Sequence, residues 1–163
     1  YLELIRPALE QLGKRRANLR LRLVAHSPMT FGDLQVDFRP WSHAEQDAAL
    51  TECCVGLCPM PNSLWTRGKC PYEVLKYMAA GMPWVGAGVG ENLLTAGDAS
   101  HGAPRGLCAN DTPDWVAAIE SIVADPTHAT RMGEAGHAYV LQHHSRAALT
   151  RQLAVFFRRL AGK

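Results

Sequence analysis

The chain has 163 residues, 47% of them apolar and 20% charged, which suits a single folded domain with a sizeable core and excludes a disordered or fibrous chain. A formal net charge of +2 is too small to imply a nucleic-acid partner. The five cysteines (Cys53, Cys54, Cys58, Cys70 and Cys108) form no CxxC pair, so they read as free thiols of a reducing cytosol, neither a disulfide framework nor a zinc site.

The seven histidines offer no better ligand set, and no metal is predicted. No signal peptide and no bilayer-spanning apolar run is apparent. Basic clusters at Lys14, Arg15, Arg16, Arg20 and Arg22, and at Arg151, Arg158, Arg159 and Lys163, read as solvated faces, with peripheral contact at the inner face of a membrane as the alternative. The chain opens on a helical pattern without methionine, as a piece of a longer two-domain protein would.

Leu2, Ile5, Leu9 and Leu12 recur at helical spacing up to Gly13, predicting an amphipathic first helix. Leu19 to Ala25 alternates and then turns apolar, a strand. Turn residues from His26 to Asp33 separate it from a second strand, Val36 to Arg39, ended by Pro40. Ser42 with Glu45 three residues on forms a capping-box pattern ahead of a helix. Val55 to Cys58 is a buried strand that runs into a basic loop, Trp65 to Cys70.

That loop opens a cleanly bounded helix. Pro71 suits its first helical position, and Gly81 followed by Pro83 suits a left-handed stop. Val74, Leu75, Met78 and Ala79 form its apolar face. Cys70 and Tyr77 are expected to pack. Free N–H groups and the helix dipole attract phosphate, and Arg67 and Lys69 add two positive charges, so a diphosphate fits here.

Pro83 to Ala87 is a further short strand, ended by the loop Gly88 to Asn92, and Gly106 to Ala109 is the last. Thr112 to Asp114 opens a helix with the stripe Trp115, Ala118, Ile119, Ile122 and Val123, stopped at Asp125–Pro126. Helices at about 127–142 and 145–161 follow, the latter with Leu149, Leu153, Phe156, Phe157 and Leu160 as its buried stripe. Strands alternating with helices predict an α/β fold, a Rossmann-like open parallel sheet with helices on both faces over residues 1–163. Ligands bind beyond the carboxyl ends of such strands, which gathers Arg39 to Trp41, Pro59 to Lys69 and Gly88 to Asn92 onto one edge.

The run GKCPYEVLKYMAAGMPWV (Gly68 to Val85) followed by GVGEN (Gly88 to Asn92), with the later Arg131-Met132-Gly133-Glu134-Ala135-Gly136, resembles the donor-binding C-terminal half of GT-B fold glycosyltransferases of family 4 (group 1). The resemblance implies a nucleotide-diphosphate sugar as substrate and no cofactor. It also implies an acceptor, glycan or lipid-linked, held by an N-terminal domain outside this sequence, and retaining transfer in cytoplasmic bacterial polysaccharide biosynthesis. The first strand of the C-terminal half is absent on this reading.

By similarity, Arg39 and Trp41 lie against the base, and Lys69 and Arg67 face the diphosphate as the catalytic pair. Trp65 reads as shielding the sugar pocket or as anchoring its loop, and by similarity Gly88, Gly90, Glu91 and Asn92 approach phosphate or sugar. Trp41 equally reads as core, and Glu91 with Asn92 as the cap of a short helix. Two departures stand out. Glu73 and Lys76 are exchanged relative to the family pattern, leaving Glu73 for the ribose and an i, i+3 bridge between the two. Gly68 replaces a family glutamate. That loss leaves room for a noncatalytic nucleotide-binding or partner-docking module, and a sugar-nucleotide epimerase shares the fold without acidic and histidine groups that can be placed here.

Overall fold

A short 3₁₀ turn (Leu2–Ile5) leads into α1 (Arg6–Arg15), whose apolar spacing buries Ile5, Leu9 and Leu12. The computed structural model describes residues 1–97 and 103–162, and Lys163 of the second basic cluster lies outside them. Helix α1 runs through Gly13 instead of stopping there. A Cβ at Gly13 would come 2.4 Å from the backbone nitrogen of Leu34, so this glycine permits a close approach and ends nothing.

Strands β1 (Arg20–Ala25) and β2 (Gln35–Pro40) pair in parallel, joined by a turn-rich stretch in which Phe31 bridges Leu34. Ser42 caps α2 (His43–Glu52) by accepting the Glu45 N–H at 3.1 Å. Strands β3 (Gly56–Cys58), β4 (Trp84–Ala87) and β5 (Leu107–Ala109) form a second parallel sheet in that order. The expected single sheet is therefore two separate parallel sheets, β1–β2 and β3–β4–β5. Helices α3 (Leu64–Arg67) and α4 (Tyr72–Ala79) lie between β3 and β4, and α5 (Glu91–Ala96) follows β4. The chain closes with α6 (Thr112–Ala124), α7 (Pro126–His143) and α8 (Arg146–Leu160).

The core is one cluster that includes Trp84 and Val85 of β4, Met78 of α4, Trp115, Ile119 and Ile122 of α6, and Met132 of α7. Helix α7 fixes α4 from behind. A Cβ at Gly133 would sit 2.0 Å from the Gly81 carbonyl oxygen, so only glycine lets the two helices meet there. The His137 ring nitrogen Nδ1 also lies 2.9 Å from the Ala79 carbonyl oxygen. This gives the Arg131 to Gly136 stretch a plain physical task, since it sets where the amino end of α4 points.

Helix α8 departs from its predicted burial. Only Ala148 is buried, while Leu149, Leu153, Phe156, Phe157 and Leu160 are exposed, Phe157 by 60%. Its main neighbour is α7. Periodicity announces an apolar face but not what covers it. Among the described residues no helix is long and apolar enough to cross a membrane.

Asp125 ends α6 and starts α7, its carboxylate accepting the His128 N–H at 2.9 Å. That hydrogen bond holds its carboxyl below the usual carboxylate range, against a smaller opposing effect of burial. The stabilisation is therefore complete above the unfolded value, about 3.9, and is lost as pH falls through the lower folded value. Asp125→Asn keeps the cap but not the charge. Its urea midpoint, followed from about pH 5 down to about pH 2, is expected to fall less steeply than the parent's, and parallel curves would contradict this account.

Candidate active site

The end of β2 and the segments after β2, β3 and β4 carry the candidate residues, and the loop after β3 is braced by its own side chains. Ser63 and Thr66 cap α3 reciprocally: Thr66 N–H donates to Ser63 Oγ at 3.2 Å, and Ser63 N–H donates to Thr66 Oγ1 at 3.0 Å. Thr66 is buried, so this short helix is pinned to the body of the protein. Sequence reading treats Trp65 to Cys70 as loop and misses α3. The signal was present as Ser63-x-x-Thr66, a capping box with threonine in place of the usual Glu or Gln.

Arg67, the last residue of α3, is held by Asn62, whose Oδ1 accepts its Nε–H at 2.7 Å. Asn62 is thus a positioning residue that sequence reading did not single out. Gly68 closes α3 in an ordinary conformation, with φ −100°, and a Cβ there would meet nothing closer than the Trp65 carbonyl oxygen at 4.0 Å. Space exists for the side chain the resembled family carries, so its absence removes a carboxylate without any steric demand.

Pro71 stands at the N-cap of α4, one residue before its predicted place, and Gly81 takes the expected left-handed stop with φ +69°. Val74 and Met78 are buried as predicted, but Ala79 is exposed. Tyr77 packs as expected, its hydroxyl donating to the Leu57 carbonyl at 3.1 Å, and burial pushes that phenol well above its usual range. Cys70 is exposed, contrary to expectation, while Pro71 beside it takes the buried position. Burial pushes the Cys58 thiol up to about 11, assisted by the nearby Glu73 carboxylate, so it stays protonated and unreactive at neutral pH.

The charge pairing also differs from expectation. Lys69 Nζ lies 3.3 Å from both carboxylate oxygens of Glu73, an i, i+4 pair across the first turn of α4. Lys76 does not bridge Glu73 and instead lies over the Tyr72 ring, 5.4 Å from its centroid. Lys69 precedes the helix and reaches Glu73 where the dipole already favours a carboxylate, so the longer i, i+4 reach wins over i, i+3.

The loop after β4 meets this basic loop directly. Gly90 has φ +54°, and a Cβ there would come 2.5 Å from the Arg67 carbonyl oxygen. The two loops therefore touch backbone to backbone. Gly88 faces Asn110, whose Oδ1 would lie 2.5 Å from an added Cβ. Glu91 opens α5 and is exposed, whereas Asn92 is buried and donates from Nδ2 to the Ala87 carbonyl at 3.0 Å. Helix α5 starts at Glu91 with Gly90 as its N-cap and no side-chain cap bond, so neither side chain caps it, and the Asn92 amide braces the loop from inside.

One cavity of about 710 Å³ is lined by Trp41, Lys69, Glu73 and Lys76, which brings four of the candidates together. Trp41 is half exposed between the His26 and His43 rings, with centroids 6.2 and 5.1 Å away, so it is not core. Arg39 and Trp65 do not line that cavity. Arg39 donates from Nε to Asp37 at 2.9 Å, and this bond, with help from Arg22, holds the Asp37 carboxyl below its usual range. Trp65 is 77% exposed. Among the described residues, no group of three or more His, Cys, Asp or Glu side chains is placed to hold a metal ion.

No protein-family model matches the chain, and no curated protein matches it. Solved structures do. Sucrose-phosphate synthase from Thermosynechococcus elongatus matches over 99% of this chain and 43% of its own, with TM-score 0.68 and 19% identity. HepE from Anabaena, solved in complex with UDP and glucose, matches over 76% of this chain and 32% of its own, with TM-score 0.57 and 15% identity. At these identities the likeness is one of fold: parallel sheets flanked by helices, in a Rossmann-like arrangement. The chain spans less than half the length of either protein.

Proposed function

We propose that this chain is the donor-binding half of a metal-independent glycosyltransferase of the family 4 type, taking a nucleoside-diphosphate sugar. The observation that carries the reading is the contact of the Arg67 backbone, after β3, with the Gly90 turn, after β4, with Lys69 and the amino end of α4 following Arg67 directly in the chain. In transfer, the bond between the anomeric carbon and the β-phosphate oxygen breaks, and the acceptor oxygen forms the new bond and loses its proton. Negative charge grows on the leaving diphosphate. Lys69 supplies a compact cation, Arg67 a bidentate one, and the unpaired N–H groups at the start of α4 complete a fixed anion site that needs no reorganisation. Glu73 holds the Lys69 ammonium over the helix start until phosphate oxygens take its place.

Trp41 is assigned to stack on the base, a reading that its exposure and its place in the same cavity as Lys69 support. The complex of HepE with UDP and glucose supports a UDP-sugar as the first donor to try. The acceptor, glycan or lipid-linked, is assigned to a domain outside this sequence, with retention of configuration, as the resemblance implies. A second reading, a noncatalytic nucleotide-binding module, is favoured by one feature: Gly68 stands where the resembled family has a carboxylate. The two separate in an assay of nucleoside-diphosphate release by the full-length protein across UDP-, GDP- and ADP-sugars with acceptor extract. Acceptor-dependent release from one donor is expected, and binding without release would favour the module.

A further inference from the structure

A helix leaves its last four carbonyls without donors of its own, and in α5 one residue from outside the helix takes three of them. Arg105 donates from Nε to the Thr95 carbonyl and from Nη2 to the Leu94 carbonyl, both at 2.9 Å. Its backbone N–H donates to the Ala96 carbonyl at 2.8 Å. The planar guanidinium suits two neighbouring carbonyls, and its charge meets the negative end of the helix dipole. Gly97 makes the room, since a Cβ there would come 2.8 Å from Arg105 Cζ. The same guanidinium lies over the Tyr139 ring of α7, with Cζ 4.2 Å from the centroid.

Helix α7 thereby holds both helices that meet at the candidate site. It fixes α4 through Gly133 and His137, and it fixes α5 through Tyr139 and Arg105. Helix α5 has six residues, so it spans only about 9 Å, and a shift at its carboxyl end is carried to the Gly90 turn at its start. That turn touches the Arg67 backbone. We propose that Arg105 is a positioning residue for the nucleoside-diphosphate site: by pinning the carboxyl end of α5 to α7, it sets where the Gly90 turn meets Arg67. The inference rests on the role proposed above for Arg67 and that turn. Arg105 does not line the cavity that Lys69 lines, so it acts through geometry, and a misplacement of about 1 Å can slow a reaction by about 10²-fold.

The test compares Arg105→Ala with Arg6→Ala in the full-length protein. Arg6 is a matched control, since it lies over the Phe31 ring at 4.8 Å and donates to the Thr30 carbonyl at 2.7 Å, but it belongs to α1. Amide hydrogen exchange is read without nucleotide, and kcat and KM are read for nucleoside-diphosphate release from whichever of UDP-, GDP- and ADP-glucose the parent accepts. Arg105→Ala is expected to speed exchange about tenfold or more from Gly88 to Gly97 and at Arg67 and Gly68, and to lower kcat about tenfold or more while raising KM less. Arg6→Ala is expected to leave exchange in those segments and kcat at the parent's values. Arg105→Lys keeps the charge without the planar pair of donors, so it recovers part of both losses, and it is read instead if Arg105→Ala does not fold. The proposal is overturned by parental exchange in both segments, by faster exchange with parental kcat, or by an equal loss of kcat in Arg6→Ala. A parent inactive with every donor counts against the proposed function, and the exchange comparison still decides whether Arg105 sets the turn.

Discussion

Replacing Lys69 by alanine is expected to slow sugar transfer by the full-length protein by roughly 10²–10³-fold in kcat while leaving the fold intact. The two halves of this expectation rest on different physics. In the resting protein, Lys69 and Glu73 form a half-exposed i, i+4 pair at 3.3 Å, and such pairs contribute less than about 1 kcal/mol. Against a diphosphate in a closed, water-poor site, the same ammonium meets charge that grows as the bond breaks. Its contribution is then greater in the transition state than in the ground state, so kcat falls more than KM rises. Lys69→Arg retains charge but not the compact geometry, and partial recovery is expected. A folded Lys69→Ala protein with unchanged kcat would sink the assignment of Lys69 to the leaving group.

Gly90→Ala is expected to cost about 1–3 kcal/mol of stability from backbone strain alone and to weaken nucleotide binding together with it. The residue has φ +54° and ψ −131°, a region that L side chains rarely adopt. An added methyl would also lie 2.5 Å from the Arg67 carbonyl oxygen, which is backbone and cannot swing aside. The contact therefore pushes α3 away and moves Arg67 with it, although the substitution touches no ligand. Urea denaturation and nucleotide titration on the same variant check both effects. Gly68→Ala is the matched comparison, because an added Cβ there meets only the Trp65 carbonyl oxygen at 4.0 Å. Equal losses at the two glycines would mean that contact between the loops is not what positions Arg67.

Much of the fold is written locally. Helix α6 announces itself through Thr112, Pro113, Asp114 and an apolar stripe that turns out buried at Trp115, Ile119 and Ile122, although the sequence pattern does not single out its cap, Asp111. Helix α4 does so through Gly81, which takes the positive φ its position requires. What sequence could not show depends on partners distant in the chain. Gly13 reads as a stop until Leu34 is seen against it, and nothing local to Asn92 announces that its amide donates to the Ala87 carbonyl. The stripe of α8 is as regular as that of α6, yet exposed, because period alone cannot distinguish a covered face from a bare one. Glu73 reads as the i, i+3 partner of Lys76, and only three-dimensional placement shows that it takes Lys69 while Lys76 lies over the Tyr72 ring.

The central claim, that Arg67, Lys69 and the start of α4 form a nucleoside-diphosphate site, is tested most directly by amide NMR of the chain during titration with UDP, GDP, ADP and CMP. Saturable shifts confined to Arg67 through Glu73 and to Gly88 through Glu91, for one diphosphate and lost in Lys69→Ala, are the predicted result. A folded chain whose amides in both segments stay unmoved by all four nucleotides would contradict it.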